Sequence, residues 1–426
     1  MTMSELLSLP YMQGFKCIAD KGEDTCCQHW HVRIDKAHYQ RMLEWVGENP
    51  SQENFFSEAV LINESNIAPD KSYAYIKMRE NGSCPYLNSQ QQCNLHIKKG
   101  HELLPDICAF YPRIITEKNS TMELSGALSC PEVVRLCLSE DINNHVLLSS
   151  DKPDIPASKD MLVHRRLSID ENSPLYEKYF EKVQQTFIDI IKLTDCGYFT
   201  RLYILASYSH SISTIYFDNC MSLDSDALEN YRLHVFDSDY MQSVNNFMGQ
   251  YENDQPLACV VIYSVLLLKQ QQAPEDKLSK MVVDVFNYYA QQLGFSSYTE
   301  IENAADYSVV FQKRYQMFSN TVHHQVEDYL TKYLLNCFYR EWFITMPSAF
   351  IYIQMLLVRV AIIRFIIYSR ISPEMNAMQI KEISVEVIYQ FARAVDHNMP
   401  FLQVVYEALN EQQMLHFDYS TPLIKF

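Results

Sequence analysis

The chain has 426 residues, of which 48% are apolar and only 9 are glycine, and its net charge is −17. The apolar fraction excludes global disorder, and the scarcity of glycine disfavours folds built on glycine-rich phosphate loops. An acidic chain repels phosphate backbones, so we expect no nucleic-acid partner. Solubility is the simplest role of the charge, and attraction of a lysine-bearing protein substrate is the alternative.

The first 150 residues predict a small domain with minor β structure. HVRID at 31–35 alternates polar and apolar residues and predicts a short strand, and Tyr73–Met78 predicts another. Residues 36–65 predict two helices that separate near Asn49 and Pro50. The proline-containing stretch DKPDIPASKD, at 150–160, is typical of a linker. We therefore predict domains at 1–150 and 160–426.

The second domain is predicted to be large and entirely helical. Apolar residues recur there at three- and four-residue spacing, in runs at 174–194, 198–216, 226–250, 256–272, 275–294, 301–317, 319–340, 347–371 and 377–395. The fold class predicted for the whole chain is therefore mainly α, with a cysteine-rich N-terminal domain followed by this helical one.

The run at 347–371 is apolar enough to be tested as a membrane span. It contains Arg359 and Arg364, and each charge costs about 2.5–3.5 kcal/mol at the centre of a bilayer. We predict no membrane span, but a buried core helix with its arginines on one exposed stripe.

The cysteines are concentrated near the N-terminus, where eight of the twelve lie within residues 1–137. The opening MTMSELLSLPYMQGF lacks a basic region followed by an apolar stretch, so we expect a cytoplasmic protein. In a reducing compartment, dense cysteines indicate metal or redox chemistry rather than structural disulfides.

Seven of these cysteines lie in three polar, proline-punctuated blocks. The predicted metal ligands are Cys17, Cys26, Cys27, Cys84, Cys93, Cys108 and Cys130. Thiolates are soft ligands that suit iron–sulfur clusters or zinc. Any one of them could instead be a small buried apolar residue, but the grouping favours an iron–sulfur centre. Zinc is the alternative metal, and His29, His31 and His96 lie near enough in sequence to serve it.

The other cysteines are predicted to be packing residues. Cys137 lies in the helical pattern VVRLCLSE, and the remaining four are scattered through the second domain at Cys196, Cys220, Cys259 and Cys337.

Several catalytic signatures are absent from the sequence, namely GxGxxG, the P-loop, GxSxG, HExxH and CxxxCxxC. The residues alone therefore argue against a Rossmann-type domain that binds a nucleotide or S-adenosylmethionine.

Five stretches resemble the flagellin lysine-N-methylase family and occur in its order: CIADKGEDTCCQHWHVRID, CPYLNSQQQCN, LLPDICAFYPR, LSCPEVVRL and FARAVDHNMPFL. The first blocks also resemble a group of metal-chelating proteins with a CxxxCC motif. That motif has a cysteine where this chain has Gly22. Cys17 could replace that ligand, the ligand could be dispensable, or the metal site could be weakened.

The resemblance implies methyl transfer from S-adenosylmethionine to ε-amines of surface lysines of flagellin, in the cytoplasm before export. We expect the iron–sulfur centre predicted from the cysteines to be a 4Fe–4S cluster. The resemblance makes Asp396 and His397, in VDHN, candidates to bind or deprotonate the lysine amine. Tyr111 and Arg113, in FYPR beside Cys108, become candidates near the metal. A purely structural role is the alternative for each of these four residues.

The cluster could cross-link the chain as a purely structural element. It could also bind S-adenosylmethionine through an open coordination site on iron, or it could start radical chemistry. With no other cofactor motif in the sequence, cofactor binding at the cluster is our working hypothesis. A competing hypothesis is a non-enzymatic metal-binding or redox-sensing protein whose helical domain binds partners, and a third is an inert helical scaffold. The sequence carries no signal for an oligomeric state.

Overall fold

The structure is a computed structural model. It describes residues 5–18, 22–28, 30–64, 72–119, 121–139, 163–169, 175–218, 225–251 and 255–426. The chain divides into two compact units, the first formed by Met1–Leu136 with Val146–Leu167 and the second by Cys137–His145 with Ser168–Phe426. The predicted linker at 150–160 lies outside the described residues, so the predicted domain boundary stays a prediction.

The first unit contains two small sheets. Its strands are β1 (Glu5–Ser8), β2 (Arg33–Ile34), β3 (Val60–Ile62), β4 (Ala74–Ile76), β5 (Arg113–Lys118), β6 (Thr121–Gly126) and β7 (Val163–Leu167). One sheet has the order β1-β6-β5-β7, in which β5 is antiparallel to β6 and parallel to β7. The other has the order β2-β4-β3, with β4 antiparallel to both neighbours. The two strands predicted from sequence are β2 and β4.

Short helices connect these strands, namely α1 (Pro10–Gln13), α2 (Lys36–Glu48), α3 (Glu53–Ala59), α4 (Asn94–Lys99), α5 (Asp106–Phe110) and α6 (Pro131–Ser139). The Asp35 side chain caps α2 by accepting a hydrogen bond from the His38 N–H. The predicted pair of helices at 36–65 is present, but the second ends at Ala59. The chain continues there as β3, because its apolar residues pair with β4.

The second unit is helical throughout its described residues, which confirms the predicted fold class. Its helices are α7 (Leu175–Lys178), α8 (Phe180–Ile191), α9 (Tyr198–Asp218), α10 (Ser225–Val235), α11 (Ser238–Gln250), α12 (Gln255–Gln272), α13 (Lys277–Gln292), α14 (Tyr307–Tyr315), α15 (Asn320–Arg340), α16 (Ala349–Arg370), α17 (Ala377–Phe391), α18 (Met399–Glu411) and α19 (Ser420–Lys425). The run predicted at 226–250 is two helices, because the Asp237 side chain caps a new helix at Ser238. Between α17 and α18 the chain forms a π-helical turn at Ala392–Asp396.

Helix α16 is the central helix of the second unit. Among the described residues it alone is long and apolar enough to cross a membrane, and 94% of its most apolar window is buried inside the protein. The predicted exposed stripe of arginines is wrong, since Arg359 and Arg364 are only 4% and 3% exposed. Acidic side chains from other helices and aromatic rings surround them, and no periodicity within α16 reveals those neighbours.

Candidate functional site

The predicted metal-ligating cysteines of the first unit converge around Cys27. The Sγ atoms of Cys27 and Cys26 are 3.8 Å apart, and Cys27 also hydrogen-bonds with the thiols of Cys84 and Cys93. These contacts raise the pKa of Cys27. The contact with Cys27 favours the thiolate forms of Cys84 and Cys93, so it lowers the pKa of Cys84 and lowers that of Cys93 to about 6.

Backbone geometry holds the thiols of Cys84 and Cys93 in place. The Cys84 N–H donates to the Cys27 carbonyl oxygen at 2.9 Å, which ties the second cysteine block to the first. Cys93 directly precedes α4, and the N–H groups of Leu95 and His96 donate to its sulfur. A helix N-terminus stabilises a thiolate in this way. Both sulfurs are therefore prepared to bind a cation.

The other predicted ligands lie around this centre. Burial raises the pKa of the Cys108 thiol, and the charges of Cys26, Cys84 and Cys93 act on it in the same direction. Burial raises the pKa of Cys130 to about 12, and Cys17 and Cys26 are close enough to contribute. Cys17 and Cys26 are exposed. The structure thus brings all seven predicted thiols into one region of one unit.

This donor set fits an iron–sulfur centre. Soft thiols from three chain segments meet, with backbone N–H groups directed at the sulfurs of Cys84, Cys93 and Cys130. They meet without a cysteine at position 22, where Gly22 lies in a bend. No disulfide joins the cysteines that the structure describes.

The histidines that would favour zinc are placed differently. His29 lies outside the described residues. The ring of His31 stacks on Tyr75 at 5.3 Å, and that of His96 lies 4.9 Å from His101. The cysteines predicted to be packing residues include Cys137, Cys259 and Cys337, which are buried, and Cys196, which is half-buried. Cys220 lies outside the described residues.

Tyr111 and Arg113 belong to the same unit as the thiols. The Tyr111 hydroxyl is 3.1 Å from Ser129 Oγ, and its ring lies 5.7 Å from that of Trp30. Trp30 packs with Cys27 and Cys108 against one apolar core. The Arg113 guanidinium is buried and stands 5.2 Å from the centre of the Phe15 ring.

Asp396 and His397 lie in the second unit, in and just after the π-helical turn. Asp396 is buried, and both of its carboxylate oxygens accept hydrogen bonds of 3.0 Å from the Tyr333 hydroxyl. Arg359 Nη1 is 3.2 Å from Asp396 Oδ1, and Arg340 Nη2 is 3.6 Å from Oδ2. Arg340 Nη1 is 3.0 Å from His397 Nε2. Since arginine only donates, His397 accepts at Nε2.

Glu341 completes this buried charge network by pairing with both arginines. Its carboxylate lies 2.7 Å from Arg359 Nη2 and also pairs with Arg340. Burial disfavours its ionisation, but the two guanidinium groups outweigh that cost and lower the pKa of Glu341 well below its ordinary value. Sequence reasoning singled out Asp396 and His397, but it did not identify Tyr333, Arg340, Glu341 or Arg359 as their partners. Two arginines within apolar helical runs are the one signal that could have indicated the rest.

A second buried group that the sequence did not reveal is a histidine between two carboxylates. His38 Nδ1 is 2.6 Å from Asp35 Oδ2, and His38 Nε2 is 3.4 Å from Asp106 Oδ1. The Nδ1 contact is a hydrogen bond, and the ligand atoms of the three side chains lie within 4.8 Å of one another, close enough to hold a metal ion. This group links the start of α2 to α5, the helix that carries Cys108.

The first unit also has a groove of about 1000 Å³ along α2, α3 and β3. Aromatic and aliphatic side chains line it together with the carboxylates of Glu53 and Glu64. No cysteine is among its described lining residues. The groove is therefore a separate feature from the thiols.

Comparisons with known proteins identify the family. Residues 184–423, more than half of the chain, match the family described as FliB lysine N-methylase C-terminal domain. Over 131 residues the chain is 23% identical to the flagellar biosynthetic protein FliU of Salmonella muenchen, a match that covers 30% of this chain and 75% of FliU. It is equally similar, over 131 residues, to the lysine-N-methylases of Salmonella typhimurium and Salmonella choleraesuis.

The match spans only about a third, 31%, of the length of those lysine-N-methylases. No solved structure matches the chain. The match over 184–423 includes the π-helical turn and the buried charge network that surrounds Asp396. On this evidence the chain belongs to the FliB lysine N-methylase family.

Proposed function

We propose that this protein transfers methyl groups from S-adenosylmethionine to ε-amines of lysines on a flagellar protein, flagellin, in the cytoplasm. The observation that carries the proposal is the match of more than half the chain to the FliB lysine N-methylase domain. The name of the relative FliU, a flagellar biosynthetic protein, supports the choice of a flagellar substrate. The acidic net charge of −17 favours a substrate that presents lysines.

The reaction requires a neutral amine. Lysine has a pKa of about 10.4 in water and is protonated at neutral pH. The site must therefore desolvate the amine or accept its proton. The nitrogen lone pair then attacks the methyl carbon, the methyl–sulfur bond breaks, the sulfonium becomes a thioether, and the product amine releases a proton.

Asp396 and His397 stay the candidate residues for the amine, and their contacts favour a positioning role. The Asp396 carboxylate is already engaged by Tyr333 and Arg359. Its oxygens therefore already accept hydrogen bonds from protein donors. His397 presents its accepting nitrogen to Arg340. Both residues are thus better placed to hold a geometry than to remove a proton.

We infer that the cysteines of the first unit hold an iron–sulfur cluster. Its ligands would come from the seven predicted cysteines, and the N–H groups directed at Cys84 and Cys93 would stabilise its negative charge. These cysteines are Cys17, Cys26, Cys27, Cys84, Cys93, Cys108 and Cys130. When bound, the cluster would cross-link three chain segments and supply iron as a Lewis acid or an electron carrier. Zinc is the alternative metal. Tyr111, whose ring lies against Trp30, would help to exclude water there.

The test is to mix anaerobically purified protein with flagellin and S-adenosylmethionine and to map the lysines by mass spectrometry. Mass increases of one or more methyl units on flagellin lysines are expected. Reactions without S-adenosylmethionine are the control. Unmodified flagellin under reducing, anaerobic conditions would overturn the proposal. Because thiols converge in the first unit, that result would favour a non-enzymatic metal or redox sensor.

A further inference from the structure

Arg364, in the second unit, is a buried cation. Its side chain is 3% exposed, and no salt bridge joins it to a carboxylate in the part of the chain that the structure describes. Its one hydrogen bond there runs 3.4 Å from Nη1 to the Ile424 carbonyl oxygen, and its Nε–H has no partner. The rings of Phe199, Tyr315 and Tyr368, 4.7 to 5.8 Å from the guanidinium, offset part of the cost of burying it. The N–H groups without partners can still bind an anion.

Two further donors without partners lie beside it. Within the described residues, the Tyr198 hydroxyl and the Arg201 Nε–H are buried and form no hydrogen bond. The Arg364 guanidinium is 4.7 Å from the centre of the Phe199 ring, and the Tyr198 ring is 5.6 Å from that same ring. Arg201 lies 5.8 Å from the Tyr198 ring. Lys425 adds a third cation, 5.2 Å from Phe199.

One carboxylate, that of Glu327, accompanies these cations without pairing with any of them. Burial raises the pKa of Glu327, although Arg364, His324 and Arg201 are close enough to act against that rise. No salt bridge connects it to a described cation. The site therefore contains a carboxylate close to its cations that forms no direct ion pair with them in the described part of the chain.

The cluster can be reached from solvent. Phe199, Arg201, Glu327 and Lys425 are half-buried, and His324 is exposed. The fully buried members, Arg364 and Tyr198, lie beneath this rim. A small molecule could therefore approach the rim and place its polar end against the buried donors.

We propose that this cluster binds the α-amino-carboxylate group of a small ligand. Arg364, Tyr198 and Arg201 donate to the carboxylate, and Glu327 accepts from the ammonium. Two sources share this chemistry: a free amino acid, and the methionyl end of S-adenosylmethionine. The second source rests on the proposed function and places that end of the cofactor on the helical unit rather than on iron.

The test measures binding by calorimetry to the full-length protein with its metal. The probes are S-adenosylhomocysteine, free methionine, and methylthioadenosine, which lacks the amino-carboxylate. Tyr198→Phe is the decisive variant, since the hydroxyl it removes has no protein partner. Loss of a hydrogen bond to a charged group should weaken the amino-carboxylate probes about tenfold or more. Arg364→Lys keeps the charge but loses the Nε–H, and should also weaken them.

Tyr307→Phe is the matched control, because Tyr307 is also buried in the second unit with an unpartnered hydroxyl. It should leave binding unchanged, and all variants should keep the wild-type iron content. Binding of S-adenosylhomocysteine but not methionine identifies the cofactor as the ligand, and binding of methionine alone identifies an amino acid.

Three results would overturn the inference: no binding of either amino-carboxylate probe, equal binding of methylthioadenosine, or wild-type binding by Tyr198→Phe. These results are independent of methyl transfer to flagellin. A protein that methylates flagellin but binds its cofactor independently of Tyr198 would retain the proposed function and lose this site. A protein that binds methionine through Tyr198 without methylating flagellin would retain this site and lose the proposed function.

Discussion

The backbone N–H of Cys84 donates a 2.9 Å hydrogen bond to the carbonyl oxygen of Cys27. These residues come from different cysteine blocks, and the bond places their thiols side by side. The bond joins backbone atoms and needs neither thiol, so the loss of single thiols should affect metal binding more than folding.

Cys93→Ser should lose most of its bound iron and its visible charge-transfer absorbance. Cys93 supplies an acceptor sulfur at the start of α4, and a hydroxyl is a poor ligand for iron–sulfur clusters. Iron analysis and absorbance of anaerobically purified protein measure the effect. Cys196→Ser, a change in the second unit, should keep the wild-type iron content. Full iron content in Cys93→Ser would remove this residue from the ligand set.

In the folded, metal-free protein, alkylation by iodoacetamide should reach Cys17 and Cys26 before Cys259 and Cys337. The first pair is exposed, whereas burial raises the pKa of both thiols in the second pair and lowers their thiolate fraction. Peptide mapping by mass spectrometry at several reaction times gives the order. The unfolded chain serves as the control, since all its thiols should react at similar rates. Equal labelling of Cys337 and Cys17 in the folded chain would contradict the described burial.

Asp396→Asn should destabilise the second unit by about 3–5 kcal/mol, because it leaves Arg359 and Arg340 buried with one carboxylate fewer. Urea unfolding followed by helical circular dichroism measures the loss. Glu386→Gln is the control: Glu386 pairs with Arg370 at a part-exposed position, where an ion pair contributes about 0–1 kcal/mol. Equal destabilisation by the two variants would show that Asp396 does not anchor the network.

The stabilising effect of Glu341 should disappear in acid. Burial opposes its ionisation, but Arg359 and Arg340 outweigh burial and hold its folded-state pKa below the ordinary 4.5. Its contribution is therefore complete above about pH 4.5 and is lost as the pH falls towards the folded-state pKa. The difference in unfolding free energy between wild type and Glu341→Gln should accordingly be largest near neutral pH.

Urea titrations at neutral pH and at about pH 3 test this dependence. The difference should narrow at the lower pH, where the wild-type carboxylate also gains a proton. A difference of the same size at both pH values would mean that Glu341 stabilises the protein by packing rather than by charge.

Most helices were predictable because the apolar spacing that defines them is local. The residues of α16 are apolar in nearly every position, so its burial followed from sequence. The hairpin of β5 and β6 was not predicted. Its strands are buried on both faces in places, and β5 pairs with β7 from beyond a long intervening segment.

The candidate sites were likewise predictable from sequence in part. The sequence by itself determined which seven cysteines are candidate metal ligands, because soft ligands clustered in polar, proline-punctuated blocks are a local compositional signal. Only the tertiary structure decided which of them meet at Cys27, and that Arg359 pairs with Asp396 whereas Arg364 faces aromatic rings. Ion pairs and thiol contacts join residues distant in the chain, and their partners are chosen by helix packing rather than by any spacing within one helix.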